Sequence, residues 1–278
     1  MSVQHIPSDS SRIHEKILEI VEYFDRFCQV HNIVYYLMGG SALGAIRHKG
    51  FIPWDDDFDV FMTYDNYCRF IEACDLYLDR TKFHLQRENT EEWPLFFSKL
   101  RMNNTTFIEE DTRGRKMHKG FYIDIMCLNN VSDNPVYRFF QYLCARLITA
   151  KTLAIRGYRT TNRLKKIVMR IAGIVVGDSA MDFLVSVVRG LNAEETTYVG
   201  HFFGRARYRN SCFPKELLGR PRRVSFSKLS LPVPEHVEEY LELRYGPNYM
   251  EIPDRKTRDS YPSHAVLVDP DRDYSYYD

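Results

Sequence analysis

Ile13, Ile17, Ile20, Val21, Phe24 and Cys28 recur every three or four positions, with Glu15, Lys16, Glu19 and Glu22 mostly between them. That pattern predicts an amphipathic helix, which Ser10 or Ser11 can cap. After the turn His31-Asn32, the β-branched and aromatic run 33–38 reads as a strand. It ends in Gly39-Gly40-Ser41, and Ala42, Leu43, Ala45 and Ile46 then predict a helical turn reaching Arg47-His48-Lys49-Gly50. A proline-bearing loop, 51–54, precedes a second strand at 57–62 and an amphipathic helix at 64–78. Two further strands are predicted at 95–108 and 121–128. The polar linker 109–120 between them, with charges of both signs and two glycines, reads as a mobile loop. From 135 to about 190 the chain turns helical, with Val136, Phe139, Phe140, Leu143 and Leu147 at the right period. The last third is short strands and turns punctuated by prolines, with one helix at 235–244.

Composition narrows the class. A chain of 278 residues, 44% hydrophobic and 27% charged, is long enough for a real core in one large domain or two modest ones. Thirty-eight Lys+Arg against 37 Asp+Glu leave a net charge of +1, which argues against a dedicated duplex-DNA binder. No nucleic-acid partner is expected. No run approaches the ~20 apolar residues of a membrane span, and the N-terminal MSVQHIPSDSS has no signal-peptide pattern. Cys28, Cys68, Cys74, Cys127, Cys144 and Cys212 include no CxxC pair and read as reduced thiols of a cytoplasmic protein.

The even total conceals an asymmetry. Between positions 131 and 190 stand ten basic residues (Arg138, Arg146, Lys151, Arg156, Arg159, Arg163, Lys165, Lys166, Arg170, Arg189) and three acidic ones (Asp133, Asp178, Asp182). A basic amphipathic helical segment fits peripheral contact with an anionic inner membrane face. The alternative is a helical subdomain whose apolar face is core and whose charges are solvated.

The chemistry concentrates in Gly39-Gly40-Ser41 and Asp57-Phe58-Asp59. A Gly-Gly-Ser between strand and helix lets backbone N–H groups approach phosphate oxygens, although glycine pairs also end strands routinely. In a strand, Asp57 and Asp59 share a face roughly 6.6 Å apart and repel each other unless a cation lies between them. A DxD with apolar flanks and an upstream Gly-Gly-Ser suits Mg²⁺-dependent phosphoryl or nucleotidyl transfer, with Mn²⁺ as a substitute. The plain alternative is a charged strand edge, which suits Asp55 and Asp56 best. Asp124, the one charge in the apolar run 121–126, is a third metal ligand, a base for an acceptor hydroxyl, or an edge-strand Asp satisfied by backbone amides.

Together these residues carry a resemblance. Tyr36-Leu-Met-Gly-Gly-Ser-Ala-Leu-Gly-Ala-Ile-Arg-His-Lys-Gly-Phe-Ile-Pro-Trp-Asp-Asp-Asp-Phe-Asp-Val60 resembles the signature of the LicD family, phosphocholine and phospho-alditol transferases with a nucleotidyltransferase-type fold, related to fukutin and fukutin-related protein. The likeness continues through 97–101 with Asn104-Thr105, through 120–125, and into 231–234, 240–241 and 245–250. It implies a CDP-linked donor, most often CDP-choline, whose phospho-alcohol passes to a hydroxyl of a glycan or lipid-linked glycan, with release of CMP. Such chemistry belongs to polysaccharide or lipopolysaccharide biosynthesis. By position, Gly39, Gly40 and Ser41 hold the diphosphate, Asp57 and Asp59 the metal, and Asp124 completes the triad. Arg47, His48, Lys49, Lys99 and Arg101 become donor-binding candidates, each with a plain reading as a solvated or surface charge. Trp54 and Trp93 are candidates for a choline cage, with core packing as the alternative.

The implied fold is α/β, a nucleotidyltransferase-like mixed sheet flanked by helices. The expected organisation is a catalytic core at 1–130, a basic helical insertion at 131–192 and a proline-rich C-terminal region at 193–278 packed on the core. Ser227 departs from the pattern, since the family commonly has Glu there. Arg258 and His264 are spaced more widely than the family's Arg and His, and no catalytic role is assigned to either. Two rival readings remain: nucleotidyl transfer to a small molecule or RNA, and a non-catalytic nucleotide-binding module.

Overall fold

The computed structural model describes residues 10–158, 160–204, 206–259, 261 and 264–277, without the side chains of Ser10 and Asp259. Arg159 and the N-terminal segment 1–9 lie outside these residues, and with them most of the signal-peptide argument. The chain begins with helix α1 (Ser10–Val30), then β1 (Tyr36–Leu37), α2 (Gly39–His48), β2 (Asp59–Thr63) and α3 (Tyr64–Tyr77). Next come β3 (Phe83–Gln86), β4 (Ser98–Met102), β5 (Thr106–Glu109) and β6 (Tyr122–Val131). Three helices follow, α4 (Pro135–Arg156), α5 (Arg163–Val175) and α6 (Asp178–Arg189). The C-terminal part holds β7 (Tyr198–Gly200), β8 (Cys212–Pro214), β9 (Arg222–Phe226), β10 (Leu229–Val233), α7 (Val237–Tyr245), α8 (Arg255–Asp259) and β11 (Ala265–Asp269).

The main sheet is mixed and curled, in the order β1-β2-β6-β4-β3, with β7 and β8 continuing from the far end of β6. β2 runs parallel to β6, while β1, β3, β4, β7 and β8 make antiparallel pairs. The predicted face of α1 (Ile13, Ile17, Ile20, Val21, Phe24, Cys28) is buried in the main core with β1, β2, α3 and β6. A second apolar cluster lies among α4, α5 and α6, where Cys144, Ala145, Ile148, Met169, Leu184 and Val188 meet Phe96, Phe202 and Phe203. All six cysteines are unpaired, and Cys28, Cys74, Cys127 and Cys144 are buried.

Several elements depart from expectation. The single strand at 95–108 breaks at Asn103-Asn104, where Asn104 takes φ +57°, a backbone region that asparagine tolerates better than most residues. β4 therefore stays in the main sheet, while β5 turns away to pair with β11. β3, with only four residues and two half-buried positions, offers little alternation to read. The linker 109–120 is not a loose loop: Glu109, Thr112, Met117 and Lys119 are buried, and Arg156 of α4 donates to both Glu109 Oε2 and Asp111 Oδ1 at 2.8 Å.

The largest departure is in α4. Val136, Phe139, Phe140, Leu143 and Leu147 are 44–78% exposed. The buried side is the smaller-residue face, Cys144, Ala145, Ile148 and Thr152, with Gln141 accepting from Ser132 N–H and donating to the Val187 carbonyl. Small side chains let helices approach closely. Periodicity identifies a stripe but does not say which way it faces.

Candidate active site

β6 lies between β2 and β4, and the strand register fixes the chemistry. Asp59 of β2 and Lys99 of β4 both stand opposite Asp124 of β6. Paired positions on adjacent strands project from one face, so Asp59, Asp124 and Lys99 form a row across three strands. All three line a cavity of about 510 Å³. Asp57 does not share the strand as predicted, because β2 begins only at Asp59. It reaches the same cavity from the approach to β2.

The Gly-Gly-Ser turn sets this row from behind. Gly39 opens α2 with φ +60°, and its N–H donates to Tyr240 Oη at 3.0 Å. A Cβ on Gly40 would fall 2.8 Å from Asp55 Oδ2, so any larger residue there would displace the Asp55 carboxylate. Ser41 Oγ accepts the Asp59 N–H at 2.8 Å. Gly39 lines the cavity, whereas Gly40 and Ser41 stand behind it and position the acidic segment. The start of α2 thus faces carboxylates, which its dipole favours.

The carboxylates are crowded. Burial, then repulsion from Asp57 and Asp124, pushes the Asp59 carboxyl well above the usual range. Asp57 is raised chiefly by burial, with Asp124 and Asp56 adding repulsion and His264 opposing it. Burial and then Asp57 push Asp55 up to about 8. Lys99 Nζ lies 2.7 Å from Asp124 Oδ1, an ion pair without good hydrogen-bond alignment, since that oxygen has no hydrogen-bond partner. His264 offers its ring Nδ1 and backbone N–H to Asp56 at 2.5 and 2.8 Å. Asp57 and Asp59 have no ion-pair partner among the described residues. Two half-buried oxygen-donor groups short of positive charge suit a hard divalent cation. Among the described residues no three His, Cys, Asp or Glu side chains form a ready cage. Mg²⁺ does not require one, because water and substrate phosphate usually complete its shell.

The other candidates separate into those facing the cavity and those supporting its walls. Lys99 is buried, 3.3 Å from the centre of the Tyr122 ring. Arg101, two residues on, donates to Gln86 Oε1 at 2.9 Å and the Gly120 carbonyl at 2.8 Å, away from the cavity wall. Arg47 ties α2 to the carbonyls of Tyr249 and Glu251, and His48 packs edge-on to Trp54. Lys49 ends α2 in the left-handed region and is exposed. Arg47, His48 and Lys49 are therefore not on the cavity wall. Trp93 is buried between Lys99 and Arg156, and Trp54 lies against Arg258, so each ring already faces a cation of the protein. Ser227 is in the β9–β10 turn with φ +52°, donating its N–H to the Lys49 carbonyl, and does not line the cavity.

Sequence reasoning passed over several cavity residues: Glu109, Arg156, His201, Tyr240 and Arg244. Glu109 is buried, but Lys99, Arg156 and Arg101 outweigh that penalty and hold its carboxyl at about 2. Its position in a mixed-charge linker gave no local sign of this. His201 Nδ1 faces the Cys127 carbonyl at 3.1 Å, which assigns the proton to Nδ1 and leaves Nε2 an acceptor without a partner.

The histidines make a pH test. Burial pushes His201 down to about 4 and His118 to about 3, whereas the Asp56 hydrogen bond raises His264 to about 9. By linkage, His264 contributes stability that is full below about 6.5 and lost as pH rises toward 9. His201 and His118 act with the opposite sign, costing stability as pH falls below about 6.5. In an NMR titration, His201 and His118 should keep neutral-ring shifts at pH 5, and His264 its protonated shift at pH 8. Early protonation of His201 would contradict the neutral-ring assignment.

The segment that supplies the carboxylates of the cavity also resembles known proteins. Residues 32–126, from the turn before β1 into β6, match the family described as LicD/FKTN/FKRP, nucleotidyltransferase domain. The matched span holds Gly39, Asp57, Asp59, Lys99 and Asp124. A particular relative is the lipopolysaccharide cholinephosphotransferase LicD of Haemophilus influenzae, 27% identical over 255 residues, covering 89% of this chain and 92% of that protein. An uncharacterised Rickettsia typhi protein is 42% identical over 40 residues, 14% of this chain and 13% of its own.

Proposed function

We propose that the protein transfers a phospho-alcohol, most simply phosphocholine, from a CDP-linked donor to a hydroxyl of a lipopolysaccharide-type glycan or its lipid-linked precursor, releasing CMP. The row Asp59–Asp124–Lys99 with Asp57 in one cavity carries this reading. The whole-length similarity to a lipopolysaccharide cholinephosphotransferase supports it. In this reading the domain is a nucleotidyltransferase-like catalytic core. Asp57 and Asp59 would hold Mg²⁺, which supplies positive charge to the donor diphosphate. The start of α2 at Gly39, together with Lys99 and Arg244, orients the phosphates. The acceptor oxygen attacks the distal phosphorus, and the bond to the CMP oxygen breaks, with its electron pair leaving on CMP. Asp124 is the candidate acceptor of the hydroxyl proton.

The test follows products and ligand stabilisation. Incubation with CDP-choline, Mg²⁺ and a lipopolysaccharide acceptor should release CMP, whereas nucleotidyl transfer from a nucleoside triphosphate would release pyrophosphate. CDP-choline with Mg²⁺ should also raise the thermal midpoint more than ATP or a UDP-sugar does. Equal shifts with all three would remove the donor assignment.

A further inference from the structure

The helices α4 and α5 turn apolar stripes away from the rest of the protein. On α5, Leu164, Ile167, Val168, Ile171, Ile174 and Val175 fall at helical intervals and are 42–79% exposed. Only Met169 and Ala172 of that helix are buried. The exposed stripe of α4 adds Val136, Phe139, Phe140, Leu143 and Leu147. A surface helix ordinarily turns such a stripe inward, and contiguous apolar surface on this scale marks an interaction site.

Charge selects the occupant. α4 and α5 together contain eight basic residues and no acidic one. Some are engaged: Arg146 and Lys151 donate to the Gly204 and Gly173 carbonyls, and Arg156 pairs with Glu109 and Asp111. Arg163, Lys166 and Arg170 are exposed, interleaved with the α5 stripe. A second copy meeting this face would set cations against cations. A lipid interface offers phosphates at the level of the charges and acyl chains beneath. No single helix among the described residues is long and apolar enough to cross a membrane; α5 and α6 pass that test only as a pair bent by 112°, and the exposed cations interleaved with the α5 stripe suit the interface plane.

We propose that the α4–α5 pair docks the protein on an anionic membrane face, with Ile167, Ile171 and Ile174 entering the acyl boundary and Arg163, Lys166 and Arg170 meeting lipid phosphates. The same helices supply Arg146, Thr149, Arg156 and Lys165 to the wall of the cavity that holds Asp57 and Asp59. Docking therefore brings the cavity to the membrane surface, where a lipid-linked hydroxyl is presented. The docking itself goes beyond the transfer reading and stands without it.

Flotation of the full chain with vesicles tests this without donor or acceptor, so its outcome is separate from that of the transfer assay. Vesicles of phosphatidylcholine with phosphatidylglycerol should carry the protein at low salt and release it as ionic strength rises, while phosphatidylcholine alone should carry little. Lys166→Ala/Arg170→Ala should weaken partitioning about thirtyfold, equivalent to ~1 kcal/mol for each charge lost. Ile167→Glu/Ile171→Glu should abolish binding while keeping the wild-type circular dichroism and thermal midpoint, because both positions are exposed. Absence of binding to the anionic vesicles at low salt would overturn the proposal. So would a lipid-free dimer that Ile171→Glu dissociates, since the face would then join copies of the chain.

Discussion

Asp59→Asn should leave less than about a tenth of wild-type turnover, a rise of more than ~1.4 kcal/mol in the barrier, while raising the thermal midpoint in metal-free buffer. Asp59 is half-buried, and desolvation together with Asp57, Asp124 and Asp55 opposes its ionisation. An amide of nearly the same shape removes from that cluster a group whose ionisation the surroundings oppose, and keeps the backbone hydrogen bond to Ser41. Relief of repulsion therefore stabilises the fold as the ligand is lost. Asp124→Asn should behave differently. It leaves Lys99, buried and 2.7 Å from Asp124, without its nearest counter-charge, so its midpoint should fall. Turnover and melting of both variants in EDTA and in Mg²⁺ decide the matter. An Asp59→Asn protein that keeps more than about a tenth of its activity would falsify the ligand assignment.

Arg156→Met should be the most destabilising of the substitutions considered, at about 3–5 kcal/mol, because it breaks a buried ion pair from one side only. The guanidinium donates to Glu109 and Asp111 at 2.8 Å and stacks 4.5 Å from the Trp93 ring centre. Its loss leaves Glu109 buried with Lys99 at 3.9 Å, the Tyr122 hydroxyl and Arg101 to offset the penalty. It also removes the side-chain tie from the end of α4 to Glu109 and Asp111, leaving the Arg115 hydrogen bond to the Ile155 carbonyl. A fall of about 10 °C in the thermal midpoint is expected for a domain of this size, and Glu109→Gln in the same background should recover part of it. A drop of only a degree or two would mean that the pair is solvated and contributes as a surface bridge does.

Local pattern was enough for α1, α3 and the helical character of the middle segment, because each depends on periodicity within one element. It also singled out Gly39 and the carboxylates Asp57, Asp59 and Asp124, the last three being costly in apolar strands unless used, while Lys99 entered only through the family resemblance. The meeting of Asp59, Asp124 and Lys99 was not legible. It depends on β2 running parallel to β6 and β4 antiparallel on the other side, in one particular register. Pairing between residues as far apart in the chain as Asp59 and Asp124, or Lys99 and Asp124, leaves no trace in either strand alone. For the same reason Lys99 and Arg101 looked equivalent, although Lys99 faces the cavity and Arg101 is held by Gln86 and Gly120. The break at Asn103-Asn104, the burial of Glu109 under Arg156 and the outward turn of the α4 stripe were likewise decided by packing between distant segments. The sequence by itself determined which residues are amphipathic, charged or chemically costly. Only the tertiary structure decided which faces meet, because a side chain's environment is set by neighbours that the fold, not the chain order, brings to it.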